Sequence, residues 1–158
     1  MKAWLAVLLL ALAPALRAAD FSGTVTYVTD GDTLWVRPAA GGEPVQIRLV
    51  DLDAPEGCQT YGPEAKHALR ERVLHRKVQV RTHGVDAYQR VLARIDHRGE
   101  DVNAWMVRFG YAWSMSFHGK QGPYVALEEQ ARRERKGLWA LPGATDPRSF
   151  RKRYGRCQ

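Results

Sequence analysis

The sequence has few cysteines and no long hydrophobic run, and both shortages exclude a class of protein. Only two of the 158 residues are cysteine, so the chain is not a small disulfide-rich scaffold. The longest apolar run, residues 3–13, is shorter than the about 20 residues that span a bilayer. Internal repeats and low-complexity blocks are also absent, which argues against collagen-like or disordered chains. With 45% hydrophobic and 26% charged residues, the composition and length predict one globular domain with a single core.

The first 19 residues have the pattern of a cleaved export signal. Lys2 supplies a positive charge, residues 3–13 form the apolar run, and small residues follow up to Ala19. A membrane anchor is the alternative interpretation, which the short run disfavours. We therefore expect removal of residues 1–19 and an exported protein, periplasmic or secreted, that begins near Asp20 and has no stable membrane association.

The excess of positive charge is confined to the carboxyl end. Lys and Arg number 24 and Asp and Glu 17, a formal net charge of +7. Residues 20–127 carry equal numbers of acidic and basic side chains, whereas residues 128–158 carry nine basic and four acidic ones. A basic end predicts a polyanionic partner, most often nucleic acid. A solvated helix face followed by a soluble tail gives the same charge pattern.

The order of the predicted elements indicates a small barrel. We predict, in chain order, strands at 21–28, 33–37 and 45–50, a helix at 63–76, strands at 77–82 and 88–95, and helices at 102–109 and 122–137. The order β-β-β-α-β-β-α-α is typical of an α+β fold, a five-stranded Greek-key barrel of the OB type with three helices. The domain covers residues 20–141, and residues 142–158 form a basic tail. OB barrels often bind oligonucleotides, but the fold alone does not define a function.

Three short stretches bring chemically active side chains to the ends of strands. Asp32 follows the first turn, and Asp53 and Glu56 follow the third strand. Carboxylates at strand ends form an oxygen-rich site suited to a hard cation such as Ca²⁺ or Mg²⁺. Arg48 and Arg90 lie on strands that can face the same rim, and guanidinium groups match phosphate oxygens. Together these groups predict phosphodiester hydrolysis; solvated carboxylates paired with nearby arginines are the alternative.

Five motifs occur in the order found in a known family. They are V-x-D-G-D-T at 28–33, R-L-x-x-x-D-A-P-E at 48–56, Y-G-P-E-A at 61–65, D-x-Y-x-R at 86–90 and G-L-W at 137–139. With these motifs the chain resembles the staphylococcal nuclease (thermonuclease) family over residues 21–139. The family fold is an OB barrel with three helices. The resemblance implies a Ca²⁺-dependent, sugar-nonspecific nuclease that cuts DNA and RNA and leaves 3′-phosphates. We expect the protein to be a monomer.

The resemblance also implies roles for the acidic positions. Asp32 and Asp53 match the carboxylates that hold calcium, and Ala54 falls where a backbone carbonyl is a further ligand. Glu56 matches a residue proposed either as the general base or as the group that orients the attacking water. These four positions would form the metal and water-activating part of the site.

The remaining matched positions would contact the substrate. Arg48 and Arg90 match two arginines that hold the phosphate and stabilise the pentacoordinate transition state, and Tyr88 matches a tyrosine near the bound nucleotide. The sequence departs from the usual family pattern at Asp51, Ala87, Gln89 and Ser116. These departures affect the nucleotide pocket and leave the catalytic positions filled.

Two other functions are consistent with parts of this pattern. A noncatalytic OB module would bind nucleic acid without cutting it, but it would have little use for Glu56, Arg48 and Arg90 together. A phosphodiesterase acting on small nucleotides would use the same groups, and the sequence does not exclude it.

The two cysteines, Cys58 and Cys157, have no flanking His or Cys that would complete a zinc site. An even pair in an exported protein predicts a disulfide, with two free thiols as the alternative. A bridge would place the tail beside the catalytic rim, because Cys58 lies two residues beyond Glu56. Four basic residues of the tail would then lie close to the substrate backbone: Arg151, Lys152, Arg153 and Arg156.

Overall fold

The computed structural model describes residues 19–116 and 119–157. Apart from Ala19, the predicted signal peptide lies outside these residues. In the part of the chain that is described, no helix is both long enough and apolar enough to cross a bilayer.

The described chain is built from short strands and helices. The strands are β1 Phe21–Val28, β2 Thr33–Pro38, β3 Val45–Leu49, β4 Leu52–Asp53, β5 Lys77–Val85, β6 Val91–His97, β7 Glu100–Asp101 and β8 Trp113–Ser114. The helices are α1 Gly62–Val73, α2 Val102–Arg108, α3 Val125–Arg133 and α4 Pro147–Tyr154, with a 3₁₀ turn at Gly137–Ala140.

The main sheet closes on itself to form a barrel. Its strand order is β3-β2-β1-β5-β6-β7, and β3 also pairs with β6. Neighbours within the order are antiparallel, whereas the closing β3–β6 pair is parallel, with Arg48 opposite Leu92. The predicted α+β class with a five-stranded OB-like barrel is therefore confirmed. The last barrel strand begins at Val91, later than predicted, so Tyr88 lies in a turn.

Alternation along the strands places one face of each strand in the barrel interior. Val25, Leu34, Ile47 and Ile95 are fully buried there, and Leu69 of α1 joins the same cluster. Burying each such side chain stabilises the fold by roughly 1.5–3 kcal/mol. This core fixes the strand ends that carry the polar site.

Helix α2 is held at its start by a side chain that also binds α3. One carboxylate oxygen of Asp101 accepts a hydrogen bond from the backbone N–H of Ala104 at 3.0 Å and caps the helix. The other accepts from the hydroxyl of Tyr124 at 2.9 Å. Burial, and then the hydrogen bond to Asp101, raises the pKa of Tyr124 well above its usual value. The pair ties the two helices together.

The prediction of a tail at 142–158 is wrong in part, because this segment contains the helix α4. Asp146 caps it by accepting from the backbone N–H of Ser149 at 2.9 Å, and Pro147 occupies the first turn. The fold therefore has a fourth helix beyond the three predicted. The disulfide between Cys58 and Cys157 is present and joins the end of this segment to the loop after β4.

Candidate active site

The polar side chains predicted from the sequence meet in one cavity of about 260 Å³. It is lined by Asp30, Asp32, Arg48, Asp53, Glu56, Arg90, Arg151, Arg156 and Cys157. A larger cavity of about 710 Å³ lies against α1 and α2 and contains none of the predicted catalytic or metal-binding residues. The chemistry of the chain is thus concentrated in the smaller, charged cavity.

Asp32 is aimed into the cavity by the turn between β1 and β2. Its backbone N–H donates to the Asp30 carboxylate at 3.0 Å, which shapes the turn. Its own carboxylate accepts from the Thr33 hydroxyl at 3.0 Å and from the backbone N–H of Ala54 at 2.9 Å. These bonds fix Asp32 beside β4, the strand that carries Asp53. The two carboxylates are only 7% and 8% exposed.

Arg48 bridges the two buried carboxylates. Its guanidinium lies 2.7 Å from Asp32 Oδ2 and 3.0 Å from Asp53 Oδ1. It reaches both because β3 pairs with β2 so that Arg48 stands opposite Thr33, next to Asp32. Burial raises the pKa of Asp32 to about 6, even though the charge of Arg48 acts in the opposite direction. The charge of Arg48 therefore offsets only part of the cost of burying the ionised carboxylate of Asp32.

Arg90 is fixed by a tight turn before β6. One oxygen of Asp86 accepts from the backbone N–H groups of Tyr88 at 2.9 Å and Arg90 at 3.0 Å. The other accepts from Arg90 Nε at 2.8 Å. Partial burial acts against ionisation, but these bonds outweigh it and lower the pKa of Asp86. Gln89, one of the positions at which the sequence departs from the family pattern, has φ of 64° in this turn, a conformation that glycine adopts without strain.

Glu56 is held by Gln59, a residue that the sequence reasoning missed. The backbone N–H of Glu56 donates to Gln59 Oε1 at 3.1 Å, and Gln59 N–H donates back to the Glu56 carbonyl at 2.8 Å. Gln59 also donates to the Thr145 carbonyl at 2.6 Å, which links this loop to the segment before α4. A Cβ at Gly62 would lie 1.9 Å from the Glu56 carbonyl oxygen, so the glycine of Y-G-P-E-A is sterically required.

Arg151 of α4 has a role at the site that the sequence did not predict, because it binds the acidic residues directly. Its guanidinium donates to both oxygens of Asp53, at 3.2 and 2.9 Å, and to Glu56 Oε1 at 2.8 Å. The hydrogen bond to Asp53 is the main reason that the pKa of Arg151 is raised. The sequence indicated only that the tail would lie near the rim. The structure places one tail side chain directly on a predicted metal ligand.

Arg156 reaches the edge of the cavity where Tyr88 lies. Its Nη2 donates to the Tyr88 hydroxyl at 3.0 Å, and its guanidinium carbon is 4.6 Å from the centre of the ring. Arg90 lies 5.5 Å from the same ring centre. Tyr88 is 61% exposed. An exposed aromatic ring between two arginines is a suitable contact surface for a nucleotide.

The residues around Asp32 and Asp53 fit a hard divalent cation. Two buried carboxylates are suitable oxygen donors, and in this structure both are neutralised by guanidinium groups that stand in for a cation. Among residues 19–116 and 119–157, no group of three or more His, Cys, Asp or Glu side chains is placed to hold a metal ion. The backbone carbonyl of Ala54 stays a predicted further ligand.

The barrel and its cavity define a class, an OB-like α+β protein with carboxylates and arginines at adjacent strand ends. The model of the family described as staphylococcal nuclease homologue matches residues 46–141. This chain belongs to the staphylococcal nuclease family.

Several known proteins are similar to the chain over most of its length. Micrococcal nuclease of Shigella flexneri is 36% identical, over 93% of this chain and 88% of its own length. A protein named ParB of Escherichia coli is 38% identical, over 85% and 81%. An uncharacterized endonuclease of Haemophilus influenzae is 32% identical, over 81% and 71%. Two of these three relatives carry names that describe nucleases.

Proposed function

We propose that this chain is an exported, Ca²⁺-dependent nuclease that hydrolyses phosphodiester bonds of DNA and RNA and leaves 3′-phosphates. The observation that supports this most strongly is the meeting of five predicted residues in one charged cavity: Asp32, Arg48, Asp53, Glu56 and Arg90. The family membership and the nuclease names of similar proteins give independent support.

The proposed chemistry divides between the arginines and Glu56. Arg48 and Arg90 bind the scissile phosphate and stabilise the extra negative charge of the pentacoordinate transition state. Glu56 orients the attacking water or accepts its proton. The bond from phosphorus to the 5′ oxygen breaks, which gives a 3′-phosphate and a 5′-hydroxyl. A bound Ca²⁺, held by Asp32 and Asp53, would supply neutralisation of phosphate charge.

Tyr88 and Arg156 extend the substrate contact beyond the scissile phosphate. Among the described residues, no carboxylate lies within ion-pair distance of Arg156, so its charge is available to a neighbouring phosphate. Arg156→Ala should raise KM at low salt, and the difference should fade as salt rises. Arg153 was also expected near the substrate backbone, but unlike Arg156 it does not line the cavity. Arg153→Ala, which removes an equal charge from α4, is therefore the control. An unchanged low-salt KM for Arg156→Ala would exclude this contact.

The proposed function is tested with the purified mature protein, plasmid DNA and a structured RNA. Cleavage is expected with Ca²⁺ and should be lost in excess EGTA, with circular dichroism showing that the fold persists. Labelled fragments should carry 3′-phosphates. An Arg48→Ala, Glu56→Gln double variant controls for contaminating nucleases. Full cleavage in EGTA would contradict the calcium assignment.

The alternatives give different products in the same assay. A noncatalytic module would shift the mobility of nucleic acid and leave it intact. A small-nucleotide phosphodiesterase would cut a dinucleotide and spare the plasmid. Export is tested separately, by the mass of the protein recovered outside the cytoplasm, which should begin near Asp20.

A further inference from the structure

The guanidinium of Arg151 contacts both carboxylate oxygens of Asp53, a predicted metal ligand. Arg151 Nη1 donates a hydrogen bond to one carboxylate oxygen of Asp53 at 3.2 Å, and Arg151 Nη2 donates to the other oxygen at 2.9 Å. Arg48 Nη2 also binds the first of these oxygens at 3.0 Å. Asp53 is buried, so these bonds are protected from water and are stronger than those of an exposed pair. A cation must therefore displace Arg151 to bind Asp53 fully.

Arg151 differs from Arg48 in how it is anchored. Arg48 belongs to β3 in the barrel, and its guanidinium also donates to the carbonyls of Leu49 and Leu52. Arg151 lies on α4, and within the described chain its guanidinium donates to the carboxylates of Asp53 and Glu56. Arg151 lacks the backbone carbonyl partners that hold Arg48, so fewer hydrogen bonds are lost when Arg151 leaves the site.

The disulfide holds this exchangeable cation at the site. Cys157 lies six residues beyond Arg151 and is bonded to Cys58, two residues beyond Glu56. A tethered group competes at a high effective concentration, on the order of millimolar for a short flexible link. Breaking the tether lowers this concentration and leaves α4 attached to the site mainly through noncovalent contacts.

We propose that Arg151 competes intramolecularly with the cation for Asp53, and that the Cys58–Cys157 disulfide makes the metal affinity depend on the redox state. This inference rests on the proposed Ca²⁺ dependence. With the disulfide intact, Arg151 weakens cation binding and neutralises Asp53 in the metal-free protein. A dithiol reductant breaks the bridge by supplying two electrons and two protons; the protein gains two thiols and the reductant becomes a cyclic disulfide.

The first test measures Ca²⁺ binding to the oxidised protein by calorimetry, without nucleic acid. Arg151→Ala should tighten Ca²⁺ binding roughly tenfold, because a charge-assisted pair no longer has to be broken. Arg153→Ala removes the same charge from α4 away from the cavity and should change the affinity by about twofold or less. Arg151→Lys keeps the charge but loses the two-pronged contact, so it should lie between Arg151→Ala and wild type.

The second test adds the redox state and a measurement of stability. Reduced wild type and Cys157→Ser should both bind Ca²⁺ more tightly than oxidised wild type. Reduction should give no further gain in Arg151→Ala, because the competing group is gone. Metal-free Arg151→Ala should melt at a lower temperature than wild type, and saturating Ca²⁺ should remove the difference.

The outcomes distinguish a failure of the competition or of its redox dependence from a failure of the proposed Ca²⁺ dependence. Equal affinities for Arg151→Ala and Arg153→Ala overturn the competition, and a reduced wild type that binds like the oxidised one overturns its redox dependence. If no variant binds Ca²⁺ and cleavage does not require it, the calcium assignment of the proposed function fails, and this inference fails with it. Cleavage that needs Ca²⁺ with unchanged affinity in Arg151→Ala rejects only the inference.

Discussion

Glu56 is the residue whose removal best separates chemistry from binding. Glu56→Gln preserves the size of the side chain and its loop, which Gln59 holds through the backbone, but it cannot accept a proton. We expect kcat on a labelled oligonucleotide at saturating Ca²⁺ to fall by about 10²–10⁴-fold. Glu71→Gln, on the wall of the other cavity, is the control. A near-wild-type kcat would exclude Glu56 as base or water-orienting group.

Asp86 acts on the reaction through Arg90. Asp86→Asn keeps the turn geometry but replaces a charged acceptor of Arg90 Nε with a neutral amide. The looser guanidinium should lower kcat/KM by roughly tenfold, since small errors in positioning are costly. In a double-mutant cycle with Arg90→Lys the two losses should not add. Asp96→Asn, whose partner Arg81 lies outside the cavity, should leave kcat/KM unchanged; additive losses would show that Asp86 acts independently of Arg90.

At the scale of elements, the contact between α2 and α3 depends on Asp101 and Tyr124. Tyr124→Phe removes the hydroxyl donor at 2.9 Å and should lower the free energy of unfolding by about 1 kcal/mol. Urea denaturation measures the loss. Tyr154→Phe, at a ring that is 64% exposed, should change stability by less than about 0.5 kcal/mol. Equal losses for the two variants would show that the hydroxyl of Tyr124 contributes nothing specific.

The same pair predicts a pH dependence at the alkaline end. Burial raises the folded-state pKa of Tyr124, so above the unfolded-state pKa of about 10 the unfolded chain loses a proton that the folded chain retains. The stability that the hydroxyl contributes is therefore fully present below that pH and is lost progressively as pH rises from it through the higher folded-state pKa. The difference in unfolding free energy between wild type and Tyr124→Phe should shrink above pH ~10; a constant difference would contradict the assignment.

Strands and helices with a regular pattern of apolar and polar residues could be predicted from the sequence, whereas the helix α4 was missed. The strand at Phe21–Val28 alternates along its length, and its predicted bounds match the structure. Residues 142–158 were predicted as a tail because they are basic and rich in turn formers. Asp146 before Pro147 was the overlooked sign of a helix start. Gln59 gave no comparable signal, because its role depends on Thr145, which is 86 residues away.

The candidate site also has a part that the sequence predicted and a part that it did not. Residues 32–90 supply side chains from adjoining strand ends, so their approach follows from the barrel. The approach of Arg151 to Asp53 spans 98 residues and depends on the disulfide and on α4 together. The sequence predicted that the basic tail would lie near the rim of the site, but it did not indicate which basic side chain of the tail would line the cavity.

For the whole molecule, the disulfide closes a loop over a sequence separation of 99 residues. In the chain-entropy model such a loop contributes up to about 4.7 kcal/mol, and losing a native disulfide typically costs about 2–5 kcal/mol. The Cys58→Ser, Cys157→Ser double variant should lose stability in this range in urea denaturation. Adding reductant to that variant should change nothing further, whereas an unaltered midpoint relative to oxidised wild type would show that the bridge contributes no stability.

The position of Cys157 on the cavity wall has a practical consequence for how the protein is purified. A polyhistidine tag added after Gln158 would begin two residues from that wall, and its imidazoles would bring a second set of metal ligands to the mouth of the site. Metal ions from a chelating resin or from the assay buffer could then bind the tag and disturb the measurements of Ca²⁺ binding and of cleavage. The other end of the described domain lies at β1, where the Asp20 carboxylate accepts a hydrogen bond from the backbone N–H of Thr82 of β5, and neither residue lines the cavity. A removable tag belongs there.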